Sequence, residues 1–285
     1  MRIQNDDIIR TKSAPIVSAL AQIPSVEGIL CFGSYALGTF DPDSDVDLYV
    51  LCDPDIPLSH ERMDAFQKIE GIEDVQMEHE EFGWDNQWCP RNDRCRLGRQ
   101  PFDIAYNTVD WMKGVVSGVK ERGATSIPEL RFRPYTMLGL LENSVVLYDP
   151  KSILRSMRSS LYPYPTKLRE TLLAENLLTA RGSLEELQDY VRRSIGNSAF
   201  HFHFLRILDS LCTLLFAINR RYDPATKRTE EAFRDMEIVP DRFLERYNRI
   251  LETPLTREGR HEIVHNLETL LGEIEGLAKD QGVAR

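Results

Sequence analysis

The chain has 285 residues, 42% hydrophobic and 28% charged, which is ordinary for a folded globular protein and long enough for two domains. Its net charge is −10, and residues 41–110 alone hold eighteen Asp and Glu against six Lys and Arg, a surface that repels nucleic-acid phosphates and suits metal ions or a cationic acceptor. Five scattered cysteines argue against a disulfide framework, no run is expected to span a membrane, and the opening Met-Arg-Ile-Gln-Asn-Asp-Asp lacks the apolar core of a signal peptide, so the expected compartment is the cytoplasm.

Ile16, Val17, Leu20 and Ile23 stand at helical spacing and predict an amphipathic helix over 11–22, closed by Pro24-Ser25. Ile29, Leu30 and Phe32 then predict a strand that ends in a turn at Gly33-Ser34. Gly33 lets backbone approach a ligand without a Cβ in the way. A helix starting just after Ser34 would aim free N–H groups at that turn, which favours an anion such as phosphate. A second strand reaches about Cys52 and carries Asp45 and Asp47 on either side of Val46. Residues two apart on a strand share a face, so both carboxylates aim one way while Val46 and Leu48 aim into a core. Two such carboxylates repel unless a cation lies between them, and Mg²⁺ suits oxygen ligands.

Beyond the loop at 53–57, Ser59 is placed to cap a helix from His60 to about Ile69. Residues 73–82 alternate as a half-buried strand, with Gln76, Glu78 and Glu80 on its polar side. Glu78 and Glu80 are either the wet face of that strand or further acids beside the site. Residues 83–100 read as an irregular loop crowded with Trp84, Trp88, Arg91, Arg94, Arg96 and Arg99. Arginines there would either fork onto phosphate or pair with surrounding acids. Cys89 and Cys95 have no partner pair at zinc-ligand spacing. Pro101 to Tyr106 predicts another strand, with Phe102 and Ile104 on the core face and Asp103 opposite them. Helices follow over 109–122 and from Ile127-Pro128 to about Glu142, and Val145 to Tyr148 begins a short strand that closes a first domain at 150.

The order Phe32-Gly33-Ser34, ten residues, Asp45-Val46-Asp47, then Asp103 on a neighbouring strand resembles the signature of the DNA polymerase β-like nucleotidyltransferase superfamily. Leu37 departs from it, since many members carry an Arg there. The resemblance implies an α+β catalytic domain with a small mixed sheet over residues 1–150. It also implies a site in which Asp45, Asp47 and Asp103 hold two Mg²⁺ ions and Gly33 and Ser34 hold the terminal phosphates of a nucleotide.

From 151 to 285 the pattern is helical throughout, with helices near 151–160, 165–181, 183–195, 197–221, 229–236, 240–252 and 256–280. Asn197 is a candidate cap, and Phe200, Phe204, Ile207, Leu208, Leu211, Leu215 and Ile218 make the fourth helix the centre of a bundle. His201 and His203 diverge on that helix and do not suit a shared ion. The run Asn219-Arg220-Arg221-Tyr222-Asp-Pro224, followed by Lys227, resembles the helical C-terminal domain of a bacterial nucleotidyltransferase branch of unknown acceptor. Antibiotic nucleotidyltransferases (aminoglycoside, lincosamide) share the layout more loosely. By that resemblance Lys227 would reach the triphosphate.

These readings lead to metal-dependent transfer of a nucleoside monophosphate, AMP from ATP, to an acceptor hydroxyl with release of pyrophosphate. The acceptor is either an aminoglycoside-like small molecule or a protein, and the local charge disfavours nucleic acid. The rival is a non-catalytic nucleotide-binding regulator or toxin–antitoxin partner. Its mark would be loss of an acid, and all three are present.

Overall fold

The structure is a computed structural model of the chain and describes residues 2–78, 88–126, 133–194, 196–223 and 229–281. The chain divides into two compact units, one formed by Met1–Pro163 and the other beginning at Tyr164. The expectation was a boundary at 150; the helix α6 (Ile153–Ser159) falls with the first unit.

The first unit is a mixed sheet with helices. In chain order it comprises α1 (Arg2–Leu20), β1 (Val26–Phe32), α2 (Gly33–Leu37), β2 (Val46–Cys52), α3 (Ser59–Phe66), β3 (Ile72–Met77), β4 (Arg91–Leu97) and β5 (Gln100–Thr108). It continues with α4 (Val109–Arg122), α5 (Pro134–Asn143), β6 (Val145–Tyr148) and α6. The strand order is β3-β4-β5-β2-β1-β6, with β2 and β5 parallel and the other neighbours antiparallel. Central β2 is buried at Val46 and from Leu48 to Cys52, as suits a strand covered on both faces.

One face of the sheet packs on α1 and α3. Ile9, Ile16, Leu20 and Phe66 meet Val46, Leu48, Val50, Phe102 and Ile104 there. Each such side chain contributes roughly 1.5–3 kcal/mol when fully buried. Helix α1 begins well before the expected 11–22 because Ile9 joins Ile16 and Leu20 on the buried stripe. Ser59 lies inside α3 rather than capping it; the N-cap residue is Leu58, whose N–H donates to Glu61 Oε2 at 2.8 Å.

The expected irregular loop at 83–100 is largely strand. Arg91–Leu97 forms β4, paired with both β3 and β5, while 83–87, with Trp84, lie outside the described residues. Its inward positions are Asp93 and Cys95, so hydropathy alone conceals the alternation. Asp93 is tolerated inside because Arg62, itself 1% exposed, donates to it from Nε at 2.8 Å and from Nη2 at 3.1 Å.

The second unit is helical: α7 (Thr166–Arg193), α8 (Asn197–Ile218), α9 (Thr229–Arg234), α10 (Phe243–Glu252) and α11 (Arg257–Asp280). The two expected helices over 165–181 and 183–195 are one. Packing of α7 on α8 and α11 outweighs the roughly 1 kcal/mol that Gly182 costs a helix interior. Gly196 is the N-cap residue of α8, and Asn197 starts the helix. Contrary to expectation, α8 is long and apolar enough to cross a membrane by length and composition, with mean hydropathy 1.4. That window is 61% buried inside the protein, the pattern of a core helix.

Candidate active site

Two neighbouring strands, β2 and β5, bring the acids together. Phe32 of β1 pairs with Asp47 of β2, Asp47 with Asp103 of β5, and Asp103 with Arg94 of β4, so one row of residues runs across the sheet. Flanking Val46, Leu48, Phe102 and Ile104 are buried on the opposite face, which turns Asp47 and Asp103 to the same side. Asp45 stands just before β2. Carboxylate oxygens of Asp45, Asp47 and Asp103 all lie within 4.8 Å of one another, and each residue is half-buried. An all-oxygen donor set of this span fits a hard divalent cation. Among the described residues this is the one cluster of His, Cys, Asp and Glu with such convergence.

The turn before Asp45 is built by its own side chains. Asp41 Oδ1 accepts from Asp43 N at 3.1 Å and from Ser44 Oγ at 3.0 Å, and Ser44 Oγ accepts from Asp41 N at 2.9 Å. Gln100 Nε2, at the start of β5, donates to Ser44 O at 2.9 Å. The Asp-Pro-Asp-Ser run was a legible signal for this turn; nothing in the sequence pointed to Gln100 as its anchor.

Gly33 opens α2 with φ +69°. A Cβ there would lie 2.0 Å from Asp47 Oδ2, so the Gly-Ser turn rests directly against the acid. Ser34 is half-buried in the same turn, and its carbonyl accepts from Thr39 N at 2.9 Å. Helix α2 stops at Gly38, which is left-handed with φ +74°.

Arg94 Nε lies 3.2 Å from Asp103 Oδ1. Of the described residues singled out between 84 and 99, Arg94 is the one the sheet places beside an acid of the cluster. Glu78 goes elsewhere: it pairs with Arg62 at 2.5 Å and with Arg91 at 3.7 Å. Glu80 and Lys227 lie outside the described residues. Trp88 is buried, and its carbonyl accepts from Tyr49 Oη at 2.7 Å and Asn107 Nδ2 at 3.1 Å. Its ring closes an aromatic cluster with Phe32 and Tyr49 on the acid side of the sheet. Behind the site, burial and then the charge of Asp47 push the Cys31 thiol far up.

Residues 14–85 match the family model of the nucleotidyltransferase domain, and residues 132–228 match that of a domain of unknown function, DUF4037. No curated protein matches the chain. Among solved structures, the chain is similar to a nucleotidyltransferase-like protein from Exiguobacterium sibiricum 255-15, at 12% identity and a TM-score of 0.43, over 95% of this chain and 77% of that one.

Proposed function

We propose that the nucleotidyltransferase domain moves a nucleoside monophosphate, AMP from ATP, onto an acceptor hydroxyl. The bond formed joins the acceptor oxygen to the α-phosphorus, the bond broken joins that phosphorus to the bridging oxygen, and pyrophosphate leaves. The observation that carries this reading is the convergence of Asp45, Asp47 and Asp103 within 4.8 Å, beside a glycine that has no room for a side chain.

Asp45, Asp47 and Asp103 would hold two Mg²⁺ ions. When bound, such ions lower the pKa of a coordinated hydroxyl and offset charge on the triphosphate. Asp103 accepts the acceptor's proton, a task within reach of a carboxylate once that hydroxyl is acidified. Gly33 and Ser34 bind the terminal phosphates through backbone N–H groups and the serine hydroxyl, which orients the α-phosphorus for in-line attack. Lys227 is assigned to the triphosphate by family resemblance. The acid-rich surface of residues 41–110 favours a cationic acceptor of aminoglycoside type or a basic protein segment over nucleic acid.

Magnesium-dependent pyrophosphate release from ATP, measured with pooled aminoglycosides and with pooled protein acceptors, tests the reading. Asp45→Asn and Asp47→Asn should each abolish release while the circular dichroism spectrum stays unchanged. Near-normal turnover in either variant would sink the assignment. ATP binding without release in any pool would favour the non-catalytic regulator.

A further inference from the structure

Gln100 opens β5, just after the turn at Gly98-Arg99. Side chains alternate along a strand, so Gln100 shares the face of buried Phe102 and Ile104 and points away from the side that carries Asp103. Its amide nevertheless joins the elements that carry the site. Gln100 Oε1 accepts from Tyr35 Oη at 2.8 Å and from Lys12 Nζ at 2.7 Å. Gln100 Nε2 donates to Ser44 O at 2.9 Å and to Pro101 O at 3.3 Å. Both lone pairs and both amide hydrogens are therefore engaged. The partners also fix which end is which, because a flipped amide would set N–H groups against an ammonium and an oxygen against two carbonyls.

The partners belong to different parts of the site. Tyr35 directly follows Gly33-Ser34 in α2. Its ring stacks on Phe40, with centroids 4.3 Å apart and planes 4° from parallel, which ties α2 to the loop that leads to Asp45. Lys12 of α1 lies 5.6 Å over the same Tyr35 ring. Ser44 immediately precedes Asp45, and the bonds among Asp41, Asp43 and Ser44 let that turn move as a unit. Asp103 lies further along the strand that Gln100 begins.

We propose that Gln100 is a positioning residue for metal binding. Its bond to Ser44 O holds Asp45 in place against Asp47 and Asp103, and its bond from Tyr35 holds the Gly33-Ser34 turn to the same frame. The proposal rests on the reading of the three acids as metal ligands. Gln100 is half-buried beside a cleft of about 590 Å³ lined also by Lys12, Tyr35, Phe40, Asp41 and Arg99. Water can enter there and satisfy a group that loses its partner. It replaces the hydrogen bond but not its direction, so loss of the amide should cost metal affinity more than stability.

The test is Mn²⁺ calorimetry on the full chain near neutral pH and at constant ionic strength, with urea unfolding of each variant. Gln100→Glu keeps acceptors for Lys12 and Tyr35 and loses the donor to Ser44. Its added negative charge would by itself tighten cation binding, so weaker binding reports geometry. Mn²⁺ affinity should fall about tenfold, the loss of one hydrogen bond, while the urea midpoint stays near the parent's. Gln100→Met, similar in length but without the amide, should weaken Mn²⁺ at least as much. Unchanged or tighter Mn²⁺ binding in Gln100→Glu overturns the proposal. A Gln100→Met variant that loses stability but binds Mn²⁺ as the parent does also overturns it and leaves the amide a structural link. Asp45→Asn separates this role from the wider reading. If that variant binds Mn²⁺ normally, the acids are not metal ligands and both ideas fall. If it loses Mn²⁺ while Gln100→Glu retains full affinity, the positioning role alone falls.

Discussion

Arg94 faces Asp103 directly across the β4–β5 pair, with its Nε 3.2 Å from Asp103 Oδ1. A guanidinium there competes with any cation for the third acid of the cluster. Arg94→Gln should therefore lower the Mg²⁺ concentration needed for half-maximal activity, by roughly tenfold or less for one partly exposed charge. The fold should change by under about 1 kcal/mol, because a pair this exposed contributes little. Magnesium titration of turnover, with Mn²⁺ calorimetry alongside, measures both. A higher magnesium requirement would mean that Arg94 instead holds Asp103 in its ligating position.

Gly33→Ala should cost activity far more than stability. The added Cβ would fall 2.0 Å from Asp47 Oδ2, and a carboxylate tip can swing away. That swing displaces Asp47 from the cluster, and a misplacement near 1 Å can cost about a hundredfold in rate. The positive φ adds about 1 kcal/mol of folding cost. Comparing kcat/KM with the urea midpoint separates the two effects; equal losses in both would contradict the placement of Asp47.

Arg62→Leu should destabilise the first unit by about 3–5 kcal/mol, since it leaves Asp93 buried and unpaired. It also removes the bond from Arg62 Nη1 to Pro57 O at 2.6 Å. Replacing Asp93 with Leu as well should recover most of the loss. Urea unfolding of the single and double variants checks this, and a double variant no more stable than the single one would show that the packing matters more than the charge.

Stability should fall in alkali. Burial lifts the Cys52 and Cys95 thiols from their ordinary 9.0 to about 12. The folded protein keeps protons that the unfolded chain gives up, so this contribution is whole below about pH 9 and is lost as pH rises toward 12. Urea midpoints at about pH 8 and about pH 10.5 should differ, and less so in Cys52→Ala with Cys95→Ala. The same burial should keep both thiols inert to iodoacetamide in the folded state.

The strands that carry the acids were legible in the sequence because their chemistry is local. Val46 and Leu48 around Asp47, and Phe102 and Ile104 around Asp103, force the carboxylates to the opposite face whatever the neighbouring strands do. Gly33 was legible as a turn residue, but that its missing Cβ leaves room for Asp47 Oδ2 of the neighbouring strand was not. Which residues meet was another matter. That β2 and β5 run parallel with Asp47 opposite Asp103 depends on the crossover, and no periodicity encodes a register between strands fifty residues apart. Strand β4 stayed hidden because its inward residues are Asp93 and Cys95, and only Arg62, arriving from α3, makes the first of these tolerable in a core. Arg94 could not be told from five neighbours in the same stretch until pairing set it beside Asp103. Only the fold shows that Arg169 is buried against the last turn of α8, because burial is a property of the packed chain.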